Sequence, residues 1–194
     1  MVMTKTIEMG TVRTLPAMSE PLMSLTTALK TRRSVRTYSA QPLDEGDLAY
    51  VLWSAAGITA SDGSRTTPST MHRAALDPYV IDADGVWRYD AQKNELVCVA
   101  TGDHRLDSTL GQDFVGTAPV TILLAADKAK GEGIEAWFGT DAGCGAMAIQ
   151  LAACALGLGS VIRGSFDKSK MTASLGADAE KKVPVLCVTV GRGQ

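Results

Sequence analysis

A cluster of cationic and hydroxyl side chains lies near the start of the chain, between Arg32 and Tyr38. Its members are Arg32, Arg33, Ser34, Arg36 and Thr37. Guanidinium groups bind phosphate oxygens through paired, charge-assisted hydrogen bonds. The cluster therefore predicts a site for one small, multiply charged anion. A solvated helix end is the alternative, because cations at a helix C-terminus offset the helix dipole.

A second group of polar side chains lies in a long loop that we predict between residues 59 and 73. The loop contains an arginine, a proline and four hydroxyl residues in one run: Arg65, Thr66, Thr67, Pro68, Ser69 and Thr70. Long ordered loops in compact domains are often functional, so this run could line a polar ligand. A solvated loop would have the same composition.

A third candidate is the junction between a short strand and a helix, from Ser160 to Asp167. Gly164 would let a ligand approach the backbone and would offer it an amide, since glycine has no side chain. Arg163 precedes this glycine and Ser165 follows it. An ordinary strand-to-helix turn, with Asp167 as the helix N-cap, is the alternative.

The elements that must position these residues follow from hydrophobic periodicity and turn signals. Helices are predicted over about residues 22–33, 44–57, 103–115, 139–158 and 167–175. Strands are predicted over residues 78–82, 86–89, 96–100, 119–125, 160–163 and 183–190. Helices and strands do not alternate strictly, which favours an α+β fold over a doubly wound parallel sheet. We expect residues 1–20 to form an extended N-terminal arm and residues 21–194 to form one domain.

The helix predicted at residues 139–158 is apolar nearly all round and rich in glycine and alanine. Such a helix is buried, and its small side chains let another backbone approach closely. The close neighbour could be the core of the same chain or a second copy at a dimer interface.

Bulk composition argues against several classes of function. The chain has 194 residues, 45% of them hydrophobic, and a formal net charge of −2. These values are typical of a globular domain without the basic field that holds nucleic acid. No apolar run is long enough to cross a membrane and the N-terminus has no hydrophobic signal core, so we expect a cytoplasmic protein.

The cysteines and histidines do not indicate a metal site. The four cysteines, which form no CxxC pair, are Cys98, Cys144, Cys154 and Cys187. We expect them to be buried, reduced thiols. Neither His72 nor His104 lies beside a cysteine in the sequence, so no metal centre is expected.

Taken together and in order, these segments resemble the nitroreductase family of FMN-dependent oxidoreductases. The matching parts are Arg32-Arg33-Ser34-Val35-Arg36, Pro68-Ser69-Thr70, Gly157-Leu158-Gly159 and Gly164-Ser165-Phe166-Asp167. The segment Val86-Trp87-Arg88-Tyr89-Asp90 resembles the SagB-like branch, which is associated with peptide-azoline oxidation. The resemblance covers about residues 20 to 190.

The resemblance implies a nitroreductase-like α/β sandwich, with a central, mostly antiparallel sheet flanked by helices. It also implies an intertwined homodimer with two FMN sites at the subunit interface. The implied cofactor-binding residues are Arg32, Arg33, Ser34, Arg36, Pro68, Ser69, Thr70, Arg163, Gly164, Ser165 and Arg192.

By motif position, these residues would contact different parts of the cofactor. Arg32, Arg33 and Ser34 would contact the phosphate and the ribityl chain, and Arg192 could be a further phosphate contact. Arg36 would lie by the N1–C2 carbonyl edge of the ring. Gly164 and Ser165 would place a backbone amide near N5, and the segment Pro68–Thr70 would come from the partner subunit.

The resemblance further implies an enzyme whose chemistry resides on the flavin and not on a catalytic side chain. Hydride from NADH or NADPH would reduce the flavin at N5, and a nitroaromatic, quinone or related small-molecule acceptor would take the electrons. A fixed cation at the N1–C2 edge stabilises the reduced ring. Three alternatives stay open: a flavin-dependent dehydrogenase of a peptide or small metabolite, a non-catalytic flavin-binding protein, and a plain anion- or nucleotide-binding module.

Overall fold

The computed structural model describes residues 6–193, which form a seven-stranded sheet flanked by helices. The strands are β1 (Val12–Thr14), β2 (Leu76–Ile81), β3 (Gly85–Asp90), β4 (Glu95–Thr101), β5 (Val120–Asp127), β6 (Gly159–Arg163) and β7 (Lys182–Gly191). The helices are α1 (Leu25–Thr31), α2 (Glu45–Ala56), α3 (Phe114–Thr117), α4 (Phe138–Ala155) and α5 (Lys168–Ser174). The strand order is β1-β4-β3-β2-β5-β7-β6, and each neighbouring pair is antiparallel. The predicted α+β class with an antiparallel sheet is therefore confirmed.

Helices cover both faces of the sheet. On one face α2 and α4 pack against the strands through Leu48, Leu52, Ala146, Ile149, Val80, Ile122 and Val188, all buried. On the other face α5 and its flanking residues contribute Phe166, Met171 and Leu175, which pack with Tyr79, Leu123 and Cys187. Gly145 allows α4 to lie close to β5, because a Cβ there would be only 3.3 Å from Leu124 Cδ1. The Gly/Ala-rich helix is thus a core helix.

The helix starts predicted from capping residues are confirmed. Asp44 caps α2 by accepting hydrogen bonds from Gly46 N (2.8 Å) and Asp47 N (3.4 Å). Asp167 caps α5 through Ser169 N (2.9 Å) and Lys170 N (3.1 Å). α1 is shorter than the predicted span of 22–33, because Ser24 is its N-cap and Arg32 leaves the helix with ψ near 126°.

The helix predicted over residues 103–115 is wrong. The segment contains a 3-10 turn at Arg105–Ser108 and the short helix α3, separated by Gly111 at a φ of +84°. The Ser108 carbonyl, which a continuous helix would use internally, instead accepts a hydrogen bond from the Arg163 side chain. A contact distant in sequence therefore overrides the local helix pattern.

The N-terminal arm joins the sheet through β1, which pairs with β4 in the register Val12 to Val97. Residues 1–5 of the predicted arm lie outside the described residues. Cys98 and Cys187 are buried as expected, whereas Cys144 and Cys154 on α4 are only half-buried. Within residues 6–193, no helix has both the length and the apolar character needed to cross a bilayer.

A buried ion cluster links β2, β5 and β7 at the start of β7, the end of that strand that does not pair with β6. Lys182 on β7 is 5% exposed, and its Nζ donates hydrogen bonds to Asp77 on β2 and, at 2.7 Å, to Asp127 on β5. Asp77 also lies 3.9 Å from Arg65, in the loop that follows α2. Burial favours a raised pKa for Asp127, but the hydrogen bonds and charge of Lys182 outweigh it, so the pKa is lowered.

We expect Lys182→Met to destabilise the protein by about 3 kcal/mol at neutral pH, because it removes the cation of partly buried Asp127 and leaves Asp77 with only the more distant Arg65. The lowered pKa of Asp127 gives stability that is present above the unfolded pKa, about 3.9, and is lost as the pH falls through the folded value. The difference in the free energy of unfolding between the wild type and Lys182→Met should therefore become smaller below about pH 4. Urea unfolding at a series of pH values measures it.

Lys93→Met is the matched control, because Lys93 is exposed and only its backbone amide forms a hydrogen bond. This change should alter the free energy of unfolding by less than about 0.5 kcal/mol. Equal effects of the two substitutions would contradict the assigned role of Lys182.

Candidate functional site

Residues 32–38, which we call the arginine segment, lie across the edge of the sheet where β6 begins and β7 ends. Val35 N donates to Ser160 O at 3.0 Å, and Ser39 N donates to Arg192 O at 3.0 Å. Gly159 is required for this approach, because a Cβ there would lie 2.8 Å from Val35 Cγ1. Backbone pairing therefore fixes the position from which the arginine side chains extend.

Tyr38 secures the far end of the same segment. Its hydroxyl donates to Val35 O, its ring centroid lies 6.0 Å from that of Phe114, and its backbone bridges to Gly193. Burial raises the pKa of Tyr38, so the phenol stays neutral. The anchoring role of Tyr38 was not predicted from the sequence, although an aromatic side chain at the end of a cationic cluster is a signal for it.

The three arginines of the segment are not equivalent. Arg33 Nη1 donates to Lys30 O (3.1 Å) and Arg32 O (2.8 Å), so it is engaged by the carbonyl groups at the end of α1. Arg32 is half-buried and Arg36 is exposed. Within residues 6–193, no group accepts a hydrogen bond from either of these two guanidinium groups, and neither forms an ion pair. Arg32 and Arg36 are thus available to an anion from outside.

Ser34 and Arg192 are exposed where β6 begins and β7 ends, and Gly164 and Ser165 are exposed just after the other end of β6. Gly164 follows directly after β6, and a methyl group added at its Cα would meet Leu186 Cδ1 first, at 3.8 Å, so its backbone is open to a ligand. Arg192 is tied to the arginine segment through its carbonyl, and its Nη2 lies 3.9 Å from Asp47. The structure therefore brings the arginine segment and the C-terminal arginine together.

Arg163 belongs to the interior instead. It is 4% exposed, and its guanidinium donates to Thr189 Oγ1 (2.9 Å), Ser108 O, Ser108 Oγ (3.1 Å) and Thr121 Oγ1 (3.3 Å). These acceptors belong to β5, β7 and the turn after β4. Its side chain fixes the end of β6 immediately before Gly164, and it does not share the exposed surface of Arg32 and Arg36.

The segment Pro68–Thr70 lies elsewhere, at the N-terminal end of α4. Thr70 donates to the buried carboxylate of Asp141 from its backbone N (3.0 Å) and from Oγ1 (2.8 Å). Thr67 Oγ1 donates to Ala55 O at 2.7 Å, which ties the loop to the end of α2. Sequence reasoning missed Asp141, although a single carboxylate in an otherwise apolar helix was the available signal.

The turn after Thr70 holds three residues other than glycine in the left-handed region: Met71 (φ 53°), His72 (φ 56°) and Ala74 (φ 45°). This conformation is unfavourable for residues with a Cβ and persists only where surrounding contacts impose it. Ser69 Oγ accepts from Ala74 N at 3.0 Å, and Arg73 donates to Glu132 O. A cleft of about 340 Å³ lies between this turn and residues 62–65, with His72 on its wall.

The two groups of candidate residues lie at opposite ends of α4 in one chain. Leu22 N donates to Ala155 O at 2.7 Å, and Thr31 Oγ1 lies 3.4 Å from Cys154 Sγ, which places α1 at the C-terminal end of α4. Asp141, which holds Thr70, is thirteen residues earlier in the same helix, a rise of about 20 Å. One chain alone does not bring Pro68–Thr70 to the arginine segment.

Comparison with known proteins identifies the family. The model of the Nitroreductase family matches residues 29–192. A crystal structure from Ralstonia eutropha JMP134, of a protein provisionally named a nitroreductase, is 32% identical, has a TM-score of 0.86, and matches over 94% of this chain and 90% of that chain. A provisionally named nitroreductase of Methanocaldococcus jannaschii is 30% identical over 175 residues, which are 83% of this chain and 87% of the relative.

A third similar structure contains a cofactor. It is a provisionally named nitroreductase from Desulfovibrio desulfuricans in complex with FMN, with 22% identity, a TM-score of 0.63, and coverage of 87% of this chain and 86% of that chain. At this identity the similarity shows the fold alone. The family match over residues 29–192, supported by the two relatives of higher identity, establishes that the chain belongs to the nitroreductase family.

Proposed function

We propose that the protein is an FMN-dependent oxidoreductase that takes electrons from NADH or NADPH and passes them to a nitroaromatic, quinone or related acceptor. The observation that carries this proposal is the pair of unengaged guanidinium groups, Arg32 and Arg36, on a segment that bridges to β6, the strand that leads into the open backbone at Gly164. This donor set fits a ligand with a phosphate at one end and a polar ring edge at the other. Membership of the nitroreductase family and the FMN complex of the Desulfovibrio relative support the assignment.

Arg32 and Ser34 are the proposed phosphate ligands. Arg32 lies just beyond the end of α1, where the helix dipole disfavours an anion, so a side-chain cation must hold the phosphate. Arg33 supports this end indirectly, because its guanidinium holds the carbonyl groups that would otherwise face the phosphate. Arg192 adds positive charge at the same edge, and its contact with Asp47 partly neutralises that charge.

Arg36 and the Gly164–Ser165 backbone are the proposed ring contacts. An exposed guanidinium beside the N1–C2 edge stabilises negative charge there, and a backbone amide can donate to N5. When bound, FMN supplies the two-electron redox chemistry at N5 that this chain's own side chains lack. The residues of the chain bind the cofactor, orient the ring and shape the surface that the acceptor meets.

We further propose that the active unit is a homodimer in which Pro68–Thr70 of each chain completes the site of the other. The residues of α4 that are not buried are small and mostly apolar: Gly139, Thr140, Gly143, Cys144, Met147, Ala148, Leu151 and Cys154. From Gly143 to Cys154 they form an apolar stripe along the helix. Exposed Leu25 (64%) and Leu29 (52%) on α1 extend this surface. If two α4 helices pack antiparallel through the stripe, the start of one helix meets the end of the other. That arrangement spans the distance of about 20 Å that separates the two groups in one chain, as estimated from the rise of about 1.5 Å per residue.

The acceptor and the subfamily are part of the proposal. Membership of the SagB-like branch stays a prediction. The alternative function for the same site is a flavin-dependent dehydrogenase of a peptide or small metabolite. Anaerobic mixing separates the two. Rapid bleaching of the yellow protein by NADH or NADPH supports the reductase, whereas yellow protein that neither nucleotide bleaches contradicts it.

We expect Arg32→Ala to weaken FMN binding by about 10- to 100-fold, because it removes charge-assisted hydrogen bonds to the phosphate. Fluorescence titration of the apoprotein with FMN measures the dissociation constant. Riboflavin, which lacks the phosphate, should bind the variant and the wild type equally.

The matched control is Arg88→Ala. Arg88 lies on β3, four strands from β6 or about 19 Å, and pairs with Asp178. Its loss should leave the FMN dissociation constant unchanged. An Arg32→Ala protein with wild-type FMN affinity would remove Arg32 from the phosphate site.

We expect Met147→Glu to convert the dimer to a monomer and to abolish tight FMN binding, because it places a charge in the apolar stripe of α4. Met147 is 37% exposed in the single chain. Light scattering coupled to gel filtration gives the mass, and the flavin absorbance of the same peak gives the cofactor content.

Met9→Glu is the control for added charge on an exposed methionine, since Met9 is 67% exposed on the N-terminal arm. This variant should remain a flavin-containing dimer. A Met147→Glu protein that is still dimeric and yellow, or a wild-type monomer with full cofactor content, contradicts the proposed assembly.

A further inference from the structure

Arg163 is a buried cation without a paired anion. It is 4% exposed, and within residues 6–193 it forms no ion pair with any carboxylate. Lys182, the other buried cation described above, differs in this respect, because it contacts the carboxylates of both Asp77 and Asp127. Burying an uncompensated charge costs several kcal/mol, so the position calls for an explanation.

Neutral groups solvate the guanidinium. Thr189 Oγ1, Thr121 Oγ1 and the carbonyl and hydroxyl of Ser108 accept its hydrogen bonds. They satisfy its donors but supply no negative charge. Burial lowers the pKa of Arg163, yet an arginine remains protonated at physiological pH.

The titratable neighbours do not compensate the charge either. Cys187 is fully buried on β7, and burial raises the pKa of its thiol to about 12. Burial also raises the pKa of Tyr38, whose hydroxyl donates hydrogen bonds to backbone oxygens. Both groups are therefore neutral near pH 7, and the field of Arg163 extends unneutralised into its surroundings.

The end of β6 determines where that field acts. Arg163 is the last residue of β6, and the next two residues are Gly164 and Ser165. Under the proposed function, these two residues contact the flavin ring at N5. A charge in a low-dielectric interior interacts strongly with another charge several ångströms away, because little water screens it.

We propose that Arg163 sets the reduction potential of the bound flavin: its buried, unpaired charge, carried by the residue that precedes Gly164, stabilises the negative charge that two-electron reduction places on the ring. The inference rests on the proposed function and goes beyond it, since it gives a redox role to a residue that does not touch the cofactor. Arg163 is thus a positioning residue for the end of β6 and the source of a fixed field, whereas Arg36 acts by contact at the ring edge.

Two substitutions remove the field by different routes. Arg163→Gln deletes the charge, and Thr121→Asp leaves the arginine in place but puts a carboxylate where Thr121 Oγ1 now lies, 3.3 Å from Nη2. Thr121→Val is the matched control, because it removes the Thr121 hydroxyl and its hydrogen bonds to Arg163 and Thr189 but leaves the charge of Arg163 unpaired. The midpoint potential of the FMN-loaded proteins is measured by spectroelectrochemical titration, with the FMN dissociation constant and melting temperature measured alongside.

We expect Arg163→Gln and Thr121→Asp each to weaken binding of reduced relative to oxidised FMN by about tenfold, a fall of about 30 mV in the two-electron potential. Thr121→Val should keep the wild-type potential. The inference is overturned if Arg163→Gln keeps the wild-type potential, or if only the affinity for oxidised FMN falls. It is also overturned if Thr121→Asp and Thr121→Val have equal potentials, since pairing Arg163 with a carboxylate would then have no effect of its own.

The experiment separates this inference from the proposed function. If the wild-type protein binds no FMN, the proposed function fails before any variant is compared. If Arg163→Gln does not fold, the potentials of Thr121→Asp and Thr121→Val still decide the question.

Discussion

The hydrogen bond from Val35 N to Ser160 O anchors the candidate site to the fold. It attaches the arginine segment to β6, and it depends on Gly159, because any side chain there would collide with Val35. This one attachment places half-buried Arg32 and exposed Arg36 on a segment that continues to the C-terminal end of β7. The long cationic side chains of the site are therefore carried on the edge of the central sheet.

The second constraint is the length of α4. The helix separates the arginine segment from the Pro68–Thr70 loop, and contacts at its two ends hold each group firmly. Asp141 fixes Thr70 at one end, and the Leu22 and Thr31 contacts fix α1 at the other. The two groups of residues proposed to form the site therefore do not meet within one chain. The proposed twofold arrangement of two chains would bring them together and would also cover the apolar stripe on α4.

Buried charge distinguishes the two ends of the sheet. At one end Lys182 is neutralised by two carboxylates and serves stability. At the other end Arg163 is surrounded only by hydroxyl and carbonyl groups, next to the backbone proposed to meet the cofactor. The sheet therefore maintains an unbalanced positive charge where a redox ligand would add a negative one.

Local patterns in the sequence were sufficient to predict most elements. Asp44 and Asp167 have strong capping chemistry, and the apolar run in β5 indicated a strand buried on both faces. The short strand β1 was missed, because three residues that pair with distant β4 leave no periodic signal. The helix expected at 103–115 failed for the same reason, since its outcome depends on Arg163, 55 residues away.

The candidate site could be predicted in part. The arginine segment and Gly164 were found from residue type and spacing, whereas the different roles of Arg32, Arg33 and Arg163 were not. Those roles depend on which acceptors the fold brings to each guanidinium, and the acceptors of Arg163 lie 26 to 55 residues away in sequence. Asp141 was likewise hidden, because its partner Thr70 lies 71 residues earlier.

The most direct test of the account is a crystal structure of the protein grown with FMN. The account predicts one FMN per chain at a twofold interface. The phosphate should lie within hydrogen-bond distance of Arg32, N5 should face the Gly164–Ser165 backbone, and the partner subunit's Thr70 segment should close the site. FMN bound elsewhere on the chain, or bound in a monomer with its phosphate away from Arg32, would contradict it.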